Sequence, residues 1–262
     1  MFKYVLLLLI LVAGSLVTLN MQLTLASQKE REEENNRPAE ISIVTIVSSS
    51  CETCVEIDTL LEMIQKQNVQ INSDKRFEVD SEEAKILITE YKLERVPSVL
   101  VRGELEKDSV RTFFESLGRT AEDGTRVIEP SMPVYFDLTQ NKLVGEVSLT
   151  TISDSTCAEC YDPSIHESIL KNNFGVTITK TEILDANSGQ GKTYVQRYAI
   201  KELPAFLLSG DATSYDALVK TWGQVGTVEE DGTFVFRKNS ELGGLVYKNL
   251  STGTIVKPET QE

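Results

Sequence analysis

Histidine is almost missing from this chain, which contains one His and one Trp among 262 residues. Because histidine is the commonest metal ligand and a frequent general acid or base, a single copy excludes catalysis by a histidine-rich metal centre. No phosphate-binding loop, no Ser-His-Asp set and no paired-carboxylate site stands out in the sequence. The common hydrolytic and phosphate-binding motifs therefore have no candidate here.

Positive charge is also scarce. The chain has 26 Lys and Arg residues against 40 Asp and Glu residues, which gives a formal net charge of −14. Binding to nucleic acid requires a basic stripe, and adhesion to anionic lipid requires a polybasic patch, but neither is visible. The sequence thus argues against a nucleic-acid partner, and we interpret the acidic surface as one that keeps the protein soluble.

One long apolar run lies at the N-terminus, where Tyr4–Leu19 is followed by uncharged residues up to Ala26. Its length of roughly twenty residues favours an uncleaved transmembrane anchor. A secretory signal peptide is the alternative, since Thr24-Leu25-Ala26 is a passable cleavage site. We therefore predict a signal anchor or signal peptide at residues 1–26 and a solvated linker at residues 27–39. Under either interpretation the remaining chain lies outside the cytoplasm, in the periplasm or at the cell surface, or is secreted if the signal is cleaved; disulfides persist there.

Cysteine is confined to two Cys-x-x-Cys motifs. Cys51 and Cys54 form the first, Cys157 and Cys160 form the second, and positions 51 and 157 differ by 106 residues. Each motif follows a run rich in β-branched residues, which is typical of a buried strand. The function of the chain therefore depends on what two vicinal dithiols do.

The elements that follow the two motifs repeat in the same order. Each copy continues with an amphipathic helix, a β–α unit, a proline that opens a strand, a third helix, and a turn before a last strand. Three matched pairs, separated by 107, 108 and 112 residues, mark the duplication: Pro97 and Pro204, Gly124 and Gly232, and Val134-Tyr135 and Val246-Tyr247. The sequence thus predicts an α/β fold with two tandem domains, residues 40–145 and residues 146–262.

Few residues between the first two helices of each copy have strand character. We predict a short extended segment at Arg76–Val79 in the first copy, and two segments, Val176–Ile178 and Thr181–Leu184, in the second.

This order of elements resembles the thioredoxin superfamily over residues 40–130 and 146–238. The resemblance implies that each domain has a mixed central sheet flanked by helices. It also implies that Pro97 and Pro204 are cis and that each faces its own motif. Two such domains in tandem look like the two-domain protein disulfide oxidoreductases.

The resemblance also implies roles for the cysteines. Cys51 and Cys157 would attack, each as the exposed member of its pair, and Cys54 and Cys160 would resolve the mixed disulfide. Protein thiols and disulfides would be the partners, and no cofactor or metal is expected. Two alternatives stay open: permanent structural disulfides, and a zinc site made of four thiolates.

Both motifs depart from the Trp-Cys-Gly-Pro-Cys pattern of thioredoxins. Glu52 lies between the first two cysteines, and Thr45 and Thr151 stand where thioredoxins have a buried acid. An acidic neighbour opposes thiolate formation, whereas a helix N-terminus favours it, so we expect these effects largely to cancel. The direction of electron flow therefore stays open.

Two further residues have simple interpretations. The spacing predicts that His166 is a surface residue of its helix and that Trp222 packs into the core. Taken together, the sequence predicts a membrane-tethered, extracytoplasmic thiol–disulfide oxidoreductase. The competing hypothesis is a non-enzymatic scaffold or interaction protein with the same fold and two structural disulfides.

Overall fold

A computed structural model describes Met21, residues 28–29, 33–34 and 36–257 of the chain. Apart from Met21, the predicted anchor or signal segment at residues 1–26 lies outside the described residues, as do parts of the linker. Among the described residues, no helix combines the length and the apolar character needed to cross a bilayer.

The first half of the described chain alternates strands and helices. In chain order its elements are β1 (Ala39–Val47), α1 (Ile57–Gln65), β2 (Val69–Glu78), α2 (Glu82–Tyr91), β3 (Arg95–Val96), β4 (Ser98–Gly103), α3 (Arg111–Glu115), β5 (Arg119–Thr120), β6 (Arg126–Ile128), β7 (Tyr135–Asp137) and β8 (Lys142–Val144).

The second half repeats this order and adds two short 3₁₀ turns. Its elements are β9 (Val147–Ser153), α4 (Ser164–Phe174), β10 (Ile178–Asp185), α5 (Gly189–Arg197), β11 (Glu202–Leu203), β12 (Ala205–Gly210), the 3₁₀ turn Ala212–Ser214, α6 (Asp216–Trp222), β13 (Gly226–Val228), β14 (Phe234–Phe236), the 3₁₀ turn Asn239–Leu242, β15 (Tyr247–Asn249) and β16 (Ile255–Val256).

Each half builds one five-stranded mixed sheet. The strand orders are β2-β1-β4-β6-β5 and β10-β9-β12-β14-β13, so the two sheets have the same topology. In the second sheet β10 runs parallel to β9, whereas β12 runs antiparallel to β9 and to β14. A parallel pair joined by a helix, followed by antiparallel strands, is the thioredoxin-like arrangement. The structure therefore confirms the α/β class and the two sheet-and-helix domains.

The apolar spacing of the helices determines which sheet face they cover. In the first half, the apolar residues of α1 pack in one cluster with Phe113 and Phe114 of α3. In the second half, Leu170 of α4 shares a cluster with Leu218 and Trp222 of α6, while α5 packs into a separate cluster. In each half, the helix that follows the motif therefore packs with the third helix of that half, which comes just before the last two strands of the large sheet.

A small three-stranded sheet accompanies each large one, which sequence reasoning missed. The strand before each proline pairs with the first strand of a hairpin, giving the orders β3-β7-β8 and β11-β15-β16. Val96 pairs with Phe136, and Leu203 pairs with Lys248. The only sequence signal for these hairpins was the repeated Val-Tyr dipeptide at which each begins.

The extended segments are longer than the sequence predicts. β2 spans Val69–Glu78 instead of Arg76–Val79, and β10 is a single strand whose register shifts between Ile178 and Lys180. Both are edge strands with one exposed face, so polar side chains are tolerated along them and the apolar signal is weak.

Contacts within the chain define two compact units. One contains the residues up to 45, residues 56–77 and 99–128, and the other contains residues 46–55, 78–98 and those from 129 onward. Both Cys-x-x-Cys motifs fall in the second unit. The domain boundaries at 40–145 and 146–262 stay a prediction.

Candidate dithiol sites

The four cysteines form two disulfides, each within its own motif. Cys51 is bonded to Cys54 and Cys157 to Cys160, and the Cα atoms are 5.4 Å apart in both pairs. Each first cysteine is held by a turn after the preceding strand. The N–H of Cys51 donates to the carbonyl of Ser48 at 3.0 Å, and the N–H of Cys157 donates to the carbonyl of Asp154 at 2.9 Å. The chain thus builds the same small ring twice.

Both motifs lie ahead of their helices rather than at the helix start. The helix α1 begins at Ile57 and α4 begins at Ser164, so several residues separate each first cysteine from helical backbone. The electrostatic effect of a helix N-terminus falls off within about one turn. The structure therefore places neither first cysteine within the first turn of its helix.

The second cysteine of each pair lies beside the residue that precedes a cis-proline. The Val96–Pro97 and Leu203–Pro204 peptide bonds are cis. The Sγ atom of Cys54 lies 3.8 Å from the carbonyl oxygen of Val96. The corresponding distance from Cys160 to the carbonyl oxygen of Leu203 is 4.0 Å. Each half of the chain therefore brings its own cysteine pair and its own proline together.

The small hairpins also reach the motifs. The N–H of Val55, the residue after Cys54, donates to the carbonyl of Val134 at 2.9 Å. In the second copy the N–H of Tyr161 donates to the carbonyl of Val246, also at 2.9 Å. These are matched positions in the two copies. Each hairpin thus fixes the backbone just after the second cysteine.

The two pairs differ in how far solvent reaches them. Cys51 is half-buried, whereas Cys157 is only 7% exposed. Cys54 and Cys160 are both half-buried. The expectation that the first cysteine is the exposed one is therefore wrong for the second pair, in which Cys157 is buried and Cys160 is half-buried.

Asp154 organises the loop that precedes Cys157. Its Oδ1 accepts hydrogen bonds from the N–H of Thr156 at 2.9 Å, from the Thr156 hydroxyl at 2.6 Å and from Asn187 Nδ2 at 2.9 Å. Its Oδ2 forms an ion pair with Lys248 of β15. Burial opposes ionisation of Asp154, but the hydrogen bonds from Lys248 and Thr156 outweigh it and hold the pKa well below its ordinary value. The second site thus contains a buried carboxylate that remains ionised.

The first motif has different neighbours at the matched positions. Ser48 takes the place of Asp154, and its Oγ lies 2.7 Å from Oγ of Ser50. Thr53, between the two cysteines, donates its hydroxyl proton to Oε1 of Glu146 at 2.9 Å, and both residues belong to the same compact unit. Phe136 stands where the second copy has Lys248. The first site therefore has no counterpart of the Asp154–Lys248 ion pair.

His166 is a core residue rather than the predicted surface residue. It is 2% exposed, and its ring lies 4.4 Å and 4.9 Å from the ring centroids of Phe206 and Phe236. Burial lowers its pKa to about 4, so the ring is neutral at physiological pH. The difference arises because His166 lies in the first turn of α4, on the face directed at the sheet.

Tyr161 links this buried ring to the second site. Its hydroxyl lies 2.6 Å from Oδ1 of Asn239 and 2.7 Å from Nε2 of His166. Since the amide oxygen can only accept, Tyr161 donates to Asn239 and receives a hydrogen bond from Nε2–H of His166. Burial, with a smaller contribution from Glu202, raises the pKa of Tyr161. The residue that follows Cys160 is therefore anchored at both its backbone and its hydroxyl.

Other residues singled out from the sequence lie in the interior. Trp222 is buried and donates Nε1–H to the carbonyl of Thr227 at 2.9 Å, as a packing role requires. Thr45 and Thr151 are buried, and Oγ1 of Thr45 finds no hydrogen-bond partner among the described residues. In the second copy the buried acid near the dithiol is Asp154, three positions before Cys157, which inspection of position 151 alone could not reveal.

The second half also contains a small apolar pocket that is partly open to solvent. Its volume is about 150 Å³. Side chains from α4, α6 and the sheet line it, including His166, Leu170, Phe206, Leu218, Trp222 and Phe236. Within the described ranges, no group of three or more His, Cys, Asp or Glu side chains is placed to hold a metal ion.

No family model and no curated protein matches this chain. Among solved structures, it is similar to the NTD_N/C domain of alkylhydroperoxide reductase AhpF from Enterococcus faecalis, with 15% identity, 70% of this chain and 90% of that chain covered, and a TM-score of 0.20. It is similar to a protein disulfide oxidoreductase from Aeropyrum pernix, with 19% identity, 70% and 82% coverage and a TM-score of 0.19. It is also similar to human ERp44, with 10% identity, 81% of this chain and 95% of that chain covered, and a TM-score of 0.19.

These matches are distant, and the fold assignment rests on the strand order and the paired sites. The two large sheets have identical topology. In each half a Cys-x-x-Cys disulfide follows the first strand of the large sheet, and a cis-proline directly precedes its middle strand, β4 or β12. The described part of the chain therefore contains two copies of a thioredoxin-like fold, each with one Cys-x-x-Cys disulfide.

Proposed function

We propose that this protein is a thiol–disulfide oxidoreductase that exchanges disulfides with protein substrates. One repeated observation carries the proposal: in both halves of the chain the Sγ atom of the second cysteine lies within 4.0 Å of the carbonyl oxygen of the residue before the matched proline. A disulfide used only as a brace needs no such neighbour, and its appearance in both copies supports a shared chemical role.

The exchange begins at the half-buried Cys51. A substrate thiolate attacks Sγ of Cys51, a mixed disulfide forms, the bond to Cys54 breaks, and Cys54 leaves as a thiolate. A second substrate thiolate then attacks the substrate sulfur, and Cys51 leaves as a thiolate. The substrate has gained a disulfide and the protein pair has gained two electrons. In the opposite direction, the reduced pair reduces a substrate disulfide.

The surroundings of the first pair favour its oxidised form. Cys51 lies several residues before the start of α1 and outside its first turn, and the acidic Glu52 lies between the two cysteines. A pair whose thiolates are poorly stabilised holds its disulfide more tightly and is a weaker oxidant. We therefore infer a reduction potential nearer the reducing or structural end of the range than the strongly oxidising end.

We further propose that the protein acts outside the cytoplasm and is tethered to the membrane through residues 1–26. The apolar run at Tyr4–Leu19 supports a membrane anchor, and the two disulfides are of a kind that persists outside the cytoplasm. Fractionation of expressing cells, followed by protease treatment of intact cells, tests it. Recovery of the chain in the cytosolic fraction would contradict the proposal.

The test of the chemistry uses the full-length chain in mild detergent. We expect it to accelerate reduction of insulin by dithiothreitol and to form mixed disulfides when Cys54 or Cys160 is changed to Ser, because the resolving thiol is then missing. The adducts should appear as high-mass bands that a reductant removes. The matched controls are Cys51→Ser/Cys54→Ser and Cys157→Ser/Cys160→Ser, which lack one pair entirely. If the protein did not accelerate insulin reduction and formed no adduct at either site, the redox function would be disproved.

A scaffold with structural disulfides is the second candidate. The low exposure of Cys157, 7%, is the observation that favours it for the second pair. Under this alternative the cysteine variants lose stability, while insulin reduction is the same with and without the protein.

A further inference from the structure

The C-terminal hairpin, residues 246–257, contacts the second dithiol loop at three points. The carbonyl of Val246 accepts from the N–H of Tyr161 at 2.9 Å. Lys248 pairs with Asp154, and Lys257 pairs with Glu159, which lies between the two cysteines. One short segment thus holds residues before, within and after the second motif.

These contacts differ in strength. Lys257 and Glu159 are both more than half exposed, so water and salt screen their attraction. The side chain of Asp154 is only 3% exposed and that of Lys248 is 25% exposed. A buried carboxylate cannot lose its cation without leaving an uncompensated charge in the interior. The ion pair between Lys248 and Asp154 therefore dominates.

Asp154 transmits this contact to the cysteine. Its carbonyl accepts the hydrogen bond from the N–H of Cys157, and its carboxylate accepts from Thr156. Any movement of Lys248 away from Asp154 would therefore disturb the turn that holds the backbone of Cys157. Lys248 itself stands opposite Leu203, the residue before the cis-proline, so it is fixed by the small sheet.

The first copy shows what the site is like without this ion pair. Its hairpin, residues 134–144, pairs with the strand before Pro97 in the same register, but Phe136 replaces Lys248 and Ser48 replaces Asp154. In that copy the first cysteine is half-buried, whereas Cys157 is closed off. The first cysteine is thus buried in the copy that has the ion pair and half-buried in the copy that lacks it, while the backbone arrangement of the hairpin is the same in both.

We propose that the C-terminal hairpin is a cover over the second dithiol, held by the Lys248–Asp154 ion pair, and that the two dithiols consequently have different roles. The Cys51–Cys54 pair exchanges directly with partners, whereas the Cys157–Cys160 pair reacts only when the hairpin moves away. Lys248 and Asp154 are positioning residues in this scheme. The division of roles rests on the proposed redox function, but the cover itself does not.

The experiment measures the reactivity of each pair separately. The oxidised full-length chain is treated with limiting dithiothreitol, whose two thiols become a cyclic disulfide as each protein disulfide becomes two thiols. The new thiols are trapped with N-ethylmaleimide at successive times and counted per cysteine by peptide mass spectrometry. We expect the first pair to be reduced about tenfold faster than the second, as a local opening step that is rarely populated requires.

Variants connect this difference to the ion pair. Lys248→Met should accelerate reduction of the second pair about tenfold and change the first pair by less than about twofold, because only the cover is loosened. Lys248→Arg keeps the charge and should restore the slow rate. The matched control Phe136→Met alters the same register position of the first hairpin, where there is no ion pair, and should leave the rates of both pairs unchanged.

The comparison of the two pairs in the unaltered protein needs no variant, so the proposal remains testable if Lys248→Met fails to fold. Equal reduction rates for the two pairs, or an unchanged second-pair rate in folded Lys248→Met, would overturn it. A slow second pair in a protein that forms no mixed disulfides with insulin would disprove the proposed function and leave the cover intact.

Discussion

Burial changes what the single histidine of this protein can do. His166 packs between aromatic rings and holds Tyr161 through Nε2, and its pKa is lowered to about 4. A neutral ring cannot act as a cation beside the second dithiol at physiological pH. The link from His166 toward Cys160 is its hydrogen bond to Tyr161, the residue that follows Cys160.

The same residue makes the stability of the protein depend on pH. The ordinary pKa of a histidine ring is 6.5, whereas burial lowers the pKa of His166 in the folded protein to about 4. Between these values the unfolded state binds the extra proton, so stability falls as the pH falls. We expect the free energy of unfolding to be about 2 kcal/mol lower at about pH 5 than at about pH 7.

Urea unfolding of the full-length chain at these two pH values measures the effect. Because the chain has one histidine, no other side chain with an ordinary pKa titrates in the middle of this window. His166→Gln keeps an N–H donor for Tyr161 but does not titrate, and it should show a much smaller difference. An equal loss in both proteins would assign the effect to other groups.

Residue-scale prediction from sequence succeeded where spacing determines the neighbours. Trp222 falls in the apolar pattern of α6 and is buried. His166 could not be placed in this way, because the start of α4 at Ser164 decides which side its first turn faces, and a helix start is uncertain by one or two residues in sequence. The Lys248–Asp154 ion pair joins residues 94 positions apart, which no local pattern reports.

At the scale of elements, the strand after each cis-proline ends at a position that only glycine can occupy. Gly103 ends β4 with φ of 127°, and Gly210 ends β12 with φ of 93°. A Cβ atom at Gly103 would collide with the carbonyl oxygen of Glu40, and one at Gly210 would collide with that of Glu146. Both strands can therefore approach the neighbouring strand closely only because no side chain intervenes.

Replacement of these glycines should separate steric from conformational effects. We expect Gly210→Ala to lower the free energy of unfolding by about 3 kcal/mol, since it adds both an unfavourable φ and a backbone collision. Gly124→Ala is the matched control: its φ is 84°, but a Cβ there would meet open space. We expect that variant to lose about 1 kcal/mol. Equal losses in urea unfolding would show that the collision is relieved by a small backbone shift.

Prediction of elements from sequence was accurate for the central strands and the amphipathic helices and poor for the hairpins. The strands next to the motifs are buried, so their side chains are apolar and distinctive. The hairpin strands are short and half-buried, and they are stabilised by pairing with the two-residue strands before the prolines. Such pairing depends on residues distant in sequence, and therefore the repeated Val-Tyr dipeptide was its only trace.

At the scale of the whole molecule, the disulfides are not what holds the fold together. Each closes a ring with a sequence separation of only 3, whereas the apolar clusters in both halves are built from the sheets and their helices. Because the closed loop is short, each disulfide removes little conformational entropy from the unfolded chain. A protein that cycles between disulfide and dithiol requires this independence.

We therefore expect the fully reduced protein to stay folded. Loss of each disulfide should lower the free energy of unfolding by about 2 kcal/mol. Far-UV circular dichroism and urea unfolding of the full-length chain, with and without dithiothreitol, measure this. If reduction abolished the cooperative transition, the disulfides would be structural, and the scaffold hypothesis would gain support over exchange.

The sequence by itself determined the duplication, the α/β class, the two dithiols and the proline that accompanies each, because these follow from periodic apolar residues and from offsets that stay nearly constant along the chain. Only the tertiary structure decided how the two dithiols differ. Cys157 is buried, the turn before it contains Asp154 in an ion pair with Lys248, and the register of the small sheet places Lys248 beside Leu203. Burial and ion pairing arise from chain segments that meet in space, so two copies with the same motif acquire unequal environments.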